Sequence, residues 1–284
     1  MVRHENPYNQ ALAPLTAFME FELSSKAMAS TAALKALKDK GGTLQTIDDE
    51  GLERHLVKLS HKHIDGRGLT YLFNELYGSN KAKASSVPGE SFTKISEVYN
   101  SHGFWLPSVK YPPSKLTFTL KLAVQIIKQF PQLKEENIGF VVNLESFDFQ
   151  SLDAIWGNSI IVTPIPAQKV LEYEYRPKRE WKEYLKNRAH RTLKIMRRKA
   201  ISDVNFDSLV ISSIGDLTGL PWLTSESSTA LRLGATPSNP KTLNVFVWSN
   251  HQAQSLLFCG SSDQWLFKKR NNISELWKKM FIKK

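Results

Sequence analysis

The sequence predicts an α+β fold, helical in its first half and strand-rich in its second, and three observations carry that expectation. Apolar residues recur at three- and four-residue spacing over much of the first 130 positions, whereas after Pro131 short apolar runs are separated by Gly and Pro. Helices gathered first and strands later fit α+β better than the strand–helix alternation of a doubly wound sheet. With 284 residues, 41% hydrophobic and 11% aromatic, the chain is long enough for one large or two moderate domains around a real core. We place the division where the composition shifts. It gives a mostly helical N-terminal domain over residues 1–150 and a strand-rich C-terminal domain over 151–284 with a basic helix at 179–200.

Pro14 to Lys40 is rich in Ala, Leu, Lys, Met and Glu, has no internal glycine and stops at Gly41 and Gly42, which predicts a first helix with Leu15, Phe18, Met19 and Leu23 as its stripe. A second helix is expected from Asp48 or Asp49 through Leu52, Leu56 and Leu59 to about His63. A third includes Leu69, Leu72, Phe73 and Leu76 and ends before Gly78. Residues 78–91 are small and polar and read as a surface loop, and Pro107, Pro112 and Pro113 punctuate a second irregular stretch. Leu116, Leu120, Val124 and Ile127 then mark the buried face of a helix. Beyond Pro131, strands are expected at Ile138 to Val142, at Ser159 to Thr163 and through the alternation from Val170 to Tyr175. The basic helix, from about Arg179 to Ala200, has Trp181, Tyr184, Leu185, Thr192, Ile195 and Met196 at helical spacing and a cationic back. Leu209 to Ile214, Leu243 to Trp248 and Ser255 to Cys259 read as further strands, and a last helix starts near Ser274.

The 38 Lys+Arg against 27 Asp+Glu leave a net charge of +11, and the excess is polarised. Between Arg176 and Lys199 lie eleven basic residues (Arg176, Lys178, Arg179, Lys182, Lys186, Arg188, Arg191, Lys194, Arg197, Arg198 and Lys199) against Glu180 and Glu183. A second cluster, Lys268, Lys269, Arg270, Lys278, Lys279, Lys283 and Lys284 against Glu275, closes the chain. A solubilising surface intersperses both signs, so this pattern predicts a directed field for a polyanion, duplex DNA before RNA. Membrane contact is not expected, because Trp181, Tyr184 and Leu185 are few enough to be used up by the core. With no run of about 18 apolar residues and no basic-then-apolar leader, the expected location is cytoplasmic and nucleoid-associated. The single Cys259 excludes an internal disulfide and a multi-thiolate zinc site, and the Asn272, Ile273, Ser274 sequon is then a chance match.

Chemistry is sparse by sequence. His61, Lys62, His63, Ile64 and Asp65, with His55 nearby, form the one histidine cluster, but no Glu stands at helical spacing as in the His-Glu-x-x-His metal motif. Asp48, Asp49 and Glu50 suit a helix N-terminus. No Gly-x-Ser-x-Gly, phosphate loop or Gly-x-Gly-x-x-Gly occurs, so no enzyme, cofactor or metal is expected.

Several segments, in order, resemble the bacterial replication terminus site-binding (Tus) family: Leu15 to Ser24, Tyr71 to Phe73 with Ser79 to Ala84 and Val87 to Gly89, Phe130 to Leu144, Trp156 to Ile161, and Val170 to Leu185. The resemblance implies two α+β domains clamping duplex DNA in a basic cleft, with interdomain strands in the major groove. It also implies a monomer, polar fork arrest and the replicative helicase as a further partner. By position it assigns Lys81 or Lys83 in a loop, Trp156 to Ile161 on a DNA-facing strand, and Arg176, Lys178 and Arg179 beside the cleft. Asn74, Ile127 and Gln132 depart from the family at the blocking face.

The expectation is therefore a non-enzymatic, site-specific binder of double-stranded DNA. Lys81, Lys83, Arg176, Lys178, Arg179, Lys182, Lys186, Arg188, Arg191, Lys194, Arg197 and Arg198 would neutralise phosphates, Trp156 would lie on the DNA-facing strand, and Asn158 and Ser159 would read base edges. Two alternatives stand beside it: an RNA-binding subunit of a mobile-element or defence ribonucleoprotein, and a metal-dependent nuclease using His55, His61, His63 and Asp65.

Overall fold

Alternating apolar residues build two sheets, and the order of elements along the chain decides which face of each is covered. In the computed structural model the chain runs through β1 (Thr16–Leu23), α1 (Thr31–Asp39), β2 (Thr43–Asp49), β3 (Leu52–Ser60), α2 (Gly66–Tyr77), β4 (Ser91–Ser96), β5 (Ser101–Lys110), α3 (Phe118–Gln129) and β6 (Asn137–Asn143). It continues through β7 (Ile160–Pro166), α4 (Ala167–Glu172), α5 (Lys178–Lys199), β8 (Leu209–Asp216), β9 (Arg232–Ala235), β10 (Leu243–Asn250), β11 (Ala253–Ser261), α6 (Trp265–Lys268) and α7 (Arg270–Phe281). The structure describes residues 15–23, 29–49, 52–77, 91–96, 98–110, 117–143, 155–158, 160–199, 208–217, 231–250 and 253–281. Mixed α+β is the observed class, as expected.

A four-stranded antiparallel sheet has the order β2-β3-β1-β9, and a seven-stranded mixed sheet has the order β4-β5-β11-β10-β8-β6-β7. Strand β9 lies late in the chain yet pairs with β1, while β4 and β5 lie early yet belong to the larger sheet, so each sheet draws on both halves of the sequence. Period-two alternation sends side chains of the seven-stranded sheet to opposite faces. Phe104, Leu106, Phe140, Ile211, Val245, Val247, Leu256 and Phe258 share a core with α3, α4 and α7, closed by Trp181 and Trp277. Trp105, Ile214, Phe246, Trp248, Leu257 and Cys259 share the other core with the four-stranded sheet, α1 and α2. Each of these large side chains contributes about 1.5–3 kcal/mol by burial. At Gly234 the sheets approach closely: a Cβ there would stand 2.9 Å from Leu257 Cδ2 of the larger sheet and 2.9 Å from Phe18 Cζ on the paired strand β1.

One ion pair ties this inner layer together. Glu20 and Arg232 are cross-strand partners on β1 and β9, with Arg232 Nη1 2.8 Å from Glu20 Oε1 and both side chains nearly buried. The Arg232 guanidinium lies 5.5 Å over the Trp105 ring, so it reaches from one sheet to the other.

Several expected elements are corrected. The helix expected over Pro14 to Lys40 is strand β1 followed by the shorter helix α1. Ala17, Phe18, Met19, Glu20 and Phe21 are all buried on both faces of a central strand, where tertiary packing outweighs the helix propensity of Ala, Met and Glu. The helix expected from Asp48 to His63 is the β2–β3 pair, closed at Asp49↔Leu52. His55, Val57 and Leu59 face the core while Arg54, Leu56 and Lys58 are half-buried; Leu52, Leu56 and Leu59 had imitated a helical stripe. The strand expected over Val170 to Tyr175 is α4 and a short 3-10 turn, with Ala167, Val170 and Tyr173 buried three apart. Strands β4 and β5 occupy a stretch that offered no strand signal. Pro107 in β5 falls where the pairing with β11 shifts register between Gln254 and Leu256, a position that tolerates a missing N–H.

Candidate active site

β3 ends at Ser60, and the next five residues turn the chain into α2. Asp65 caps that helix: its Oδ1 accepts from the Gly68 amide at 2.9 Å, and its carbonyl accepts from Leu69 at 2.9 Å. Gly68 is required by close approach, since a Cβ there would lie 2.8 Å from both the Ile155 carbonyl oxygen and Ile64 Cγ1. The turn is clamped from the outside by residues 155–158. Gly157 N donates to His63 O at 2.6 Å, and Ile64 and Gly157 form an isolated parallel bridge.

His61 sits at the centre of this arrangement and is held at every backbone atom. Its amide donates to Leu15 O at 2.7 Å, and its carbonyl accepts from Asn158 Nδ2 at 2.9 Å. The ring Nδ1 lies 2.7 Å from Ile64 O, an acceptor only, so the ring proton of the neutral imidazole is on Nδ1. Asn158 Nδ2 is 3.4 Å from that same protonated nitrogen, so its effective partner is the carbonyl. Nε2 therefore carries the lone pair, and it has no protein partner among the described residues. Burial pushes the imidazole below its usual pKa, against the opposing pull of the Ile64 hydrogen bond and the Asp65 charge. The ring is neutral at neutral pH and presents a base.

That base faces a cavity of about 250 Å³ between the two sheets. Ala17 of the small sheet and Leu15 just before it form one apolar wall; Val141, Ile160 and Val162 of β6 and β7 form the other. Arg67, Asn143, Ser212, Ser213, Thr236, Ser238 and Asn244 supply polar atoms. Ser238 Oγ is buried with no hydrogen-bond partner among the described residues, a donor and acceptor left to whatever enters. Cys259 is buried elsewhere, and burial raises its thiol pKa well above the usual range, so it is not a poised nucleophile.

The sequence-derived sites distribute differently from expectation. Lys81, Lys83 and Ser159 lie outside the described residues. Asn158, taken as a base reader, is completely buried and holds His61 and the Ile160 amide, so it cannot touch a groove edge. Trp156 is 6% exposed and packs in the inner core with the Lys40 ammonium 5.9 Å from its ring, which removes it from a DNA-facing surface. Ile127 is core, Asn74 lies on α2 and Gln132 is exposed on the short 3-10 turn before β6. Arg176 pairs with Glu180 at 3.4 Å, while Lys178, Arg179, Lys182, Lys186, Arg188, Arg191, Lys194 and Arg197 are exposed on or at the start of α5. Arg198 is also on that helix.

The histidines do not converge. His55 points into the small-sheet core, stacked on Phe21, with Tyr77 Oη 2.9 Å from Nδ1 and Glu53 Oε2 3.3 Å from Nε2. His63 is half-buried and does not line the cavity. Among the described residues no three His, Cys, Asp or Glu side chains are grouped to hold a metal, so the nuclease reading loses its centre. The overlooked signal was His61 four residues before Asp65-Gly66. That spacing places an imidazole at a strand end and an Asp cap with a glycine at the helix start that follows.

No family model matches the chain, and no curated protein matches it either. Among solved structures, PapA2 acyl transferase superposes with a TM-score of 0.57 at 9% identity, over 98% of this chain and 91% of that one. The nonribosomal peptide synthetase FmoA3, with α-methyl-L-serine-AMP bound, superposes with a TM-score of 0.52 at 10% identity, over 98% of this chain and 44% of that one. At these identities the likeness shows the fold alone. That fold overturns the resemblance to the replication terminator. With it go the expected duplex DNA and helicase partners, the fork-arrest role, the RNA-binding and nuclease alternatives and the expectation of a non-enzyme, since the proteins sharing the architecture are enzymes.

Proposed function

We propose that this protein is an acyl-transfer enzyme in which His61 is the general base and the space between the two sheets is the substrate cavity, in place of a nucleic-acid cleft. The observation that carries the reading is the orientation of His61: Nδ1–H is fixed on Ile64 O, and the Nε2 lone pair is left to the cavity. The shared fold of PapA2 acyl transferase supports the reaction class.

The partners of His61 decide between two kinds of acyl chemistry. A serine or cysteine hydrolase needs a side-chain nucleophile bonded to the imidazole and, in the triad arrangement, a carboxylate behind it. Here a backbone carbonyl stands behind the ring, and no hydroxyl or thiol among the described residues is hydrogen-bonded to Nε2. The nucleophile is therefore the acceptor substrate itself, an amine or alcohol, and the donor is an activated acyl group such as a thioester. Nε2 takes the acceptor's proton as its nitrogen or oxygen bonds to the acyl carbon. The tetrahedral adduct collapses with cleavage of the carbon–sulfur bond, and the imidazolium returns the proton to the departing thiolate. Asp65 and Asn158 are positioning residues, one fixing the turn and the other the backbone of His61.

The test is release of free thiol and formation of acylated product from a panel of acyl thioesters with amine and alcohol acceptors. His61→Gln should lower the rate by roughly 10²–10⁴-fold with the fold retained by circular dichroism. Product formation unchanged in His61→Gln, or no thiol release above the uncatalysed rate across the panel, overturns the assignment.

A further inference from the structure

Helix α5 has 22 residues and is about 33 Å long. Its inner stripe is used by the fold: Trp181 packs in the outer core, and Ala189, Leu193 and Met196 pack with Leu15 and Ile161. Its outer side is a different chemistry. Lys178, Arg179, Lys182, Lys186, Arg188, Arg191, Lys194 and Arg197 are all exposed, and among the described residues none of them is in an ion pair. After Glu183 the helix has no acid at all. Lys182 and Lys186, Arg188 and Arg191, Arg191 and Lys194, and Lys194 and Arg197 stand one turn apart, and each such like-charge pair destabilises a helix by a few tenths of a kcal/mol. Beyond Glu183, no acid among the described residues pairs with these cations.

We propose that the outer side of α5 docks the protein peripherally on an anionic lipid bilayer. The distribution of charge favours lipid over a protein partner. A specific protein surface is matched by both signs and by aromatic anchors that fill pockets. Beyond Glu183 the only charges round the solvent arc are cations, Lys186 and Arg197 on one flank, Arg188 and Arg191 on the other, and Lys194 between. Mobile headgroups satisfy such an array in any register. Two of the three large hydrophobic side chains exposed among the described residues lie on or beside this helix: Ile195, 50% exposed beside Arg191 and Arg188, and Tyr175, 84% exposed in the short 3-10 turn that precedes it. An aliphatic and an amphipathic aromatic side chain both gain at the headgroup boundary.

Because the apolar stripe is already buried, docking is electrostatic and involves no insertion, and no helix among the described residues is long and apolar enough to cross a membrane. The absence of a wide Leu/Phe face argues against insertion and leaves adsorption open. The inference stands whether or not His61 is catalytic.

The test is co-sedimentation of the full chain with vesicles of phosphatidylcholine alone or with roughly one-third phosphatidylserine, at about 0.1 M and about 0.5 M salt. Binding is expected to the anionic vesicles only and to disappear at the higher salt. The triple variant Lys186→Glu, Arg191→Glu, Lys194→Glu changes exposed side chains that make no ion pair among the described residues, so its thermal unfolding should match the parent. Its partition onto anionic vesicles should fall roughly 100-fold or more. No binding to anionic vesicles at low salt, equal binding to neutral vesicles, or an unchanged partition in the folded triple variant overturns the proposal. So does retention on an acidic polypeptide with none on vesicles.

Discussion

Replacing Asn158 with alanine probes the mounting of His61. Its side chain joins two backbone groups, Nδ2 donating to the His61 carbonyl at 2.9 Å and Oδ1 accepting from the Ile160 amide at 3.0 Å. Alanine removes both partners and supplies none. An orphaned buried group costs about 1–3 kcal/mol, so losing two comes to roughly 2–6 kcal/mol. That is a large part of the roughly 5–15 kcal/mol by which a domain is stable. Urea unfolding should therefore show a lower midpoint with an unchanged slope, and acyl transfer, once an active substrate pair is in hand, should lose kcat more than KM as the imidazole drifts. Asn158→Asp keeps the acceptor for Ile160 but turns an oxygen toward the His61 carbonyl, and should be no better than alanine. A surface residue reading base edges would shift stability by no more than about 0.5 kcal/mol. A change that small in Asn158→Ala would refute the mounting described above.

Two further outcomes follow from buried charge. Burial lowers the His61 pKa from its ordinary 6.5, so the unfolded chain takes up this proton more readily than the folded one. This contribution to stability is complete above pH 6.5 and is lost as pH falls from there toward the folded value; His55, lowered for the same reason, acts in the same direction. Urea midpoints should fall on acidification below that pH in the parent and less steeply in His61→Gln, and a midpoint that rises on acidification would contradict the assignment. Breaking the Glu20–Arg232 pair on one side, as in Glu20→Ala, leaves a buried guanidinium over Trp105 and should cost roughly 3–5 kcal/mol. The double change Glu20→Leu, Arg232→Met should cost clearly less in the same unfolding measurement, and equal or greater loss in the double variant would mean that the pair is net stabilising.

The elements that the sequence disclosed are those whose burial is one-sided. α3 buries Leu120, Val124 and Ile127 along one stripe, and α5 places Trp181, Ala189, Leu193 and Met196 inward, so periodicity alone locates both. β1 and β3 failed for opposite reasons. Every residue from Ala17 to Phe21 is buried, which erases the alternation that would mark a strand, and in β3 the half-buried Leu56 completes a false helical stripe with Leu52 and Leu59. β5 was hidden by Pro107, harmless in the structure because the ladder shifts register there. The pairing of β9 with β1, more than 200 residues apart, had no local signal at all.

The site failed to appear by sequence because its parts are long-range. His61 gains its carbonyl partner from Asn158, 97 residues away, and its amide partner from Leu15, so an unremarkable imidazole becomes an oriented base only in the folded chain. The cationic helix, by contrast, is visible in any reading, and charge density alone says that a polyanion would be attracted without saying where chemistry occurs. β7 separates the two: Ile161 packs on α5 with Ala189, Leu193 and Met196, while Ile160 and Val162, its neighbours on the strand, line the cavity. The strand's alternation turns adjacent residues to opposite faces, so the charged surface and the oriented base lie on opposite sides of one edge strand. A variant that disables one can leave the other intact. His61→Gln should still sediment with anionic vesicles, and the triple α5 variant should still transfer acyl groups between soluble substrates.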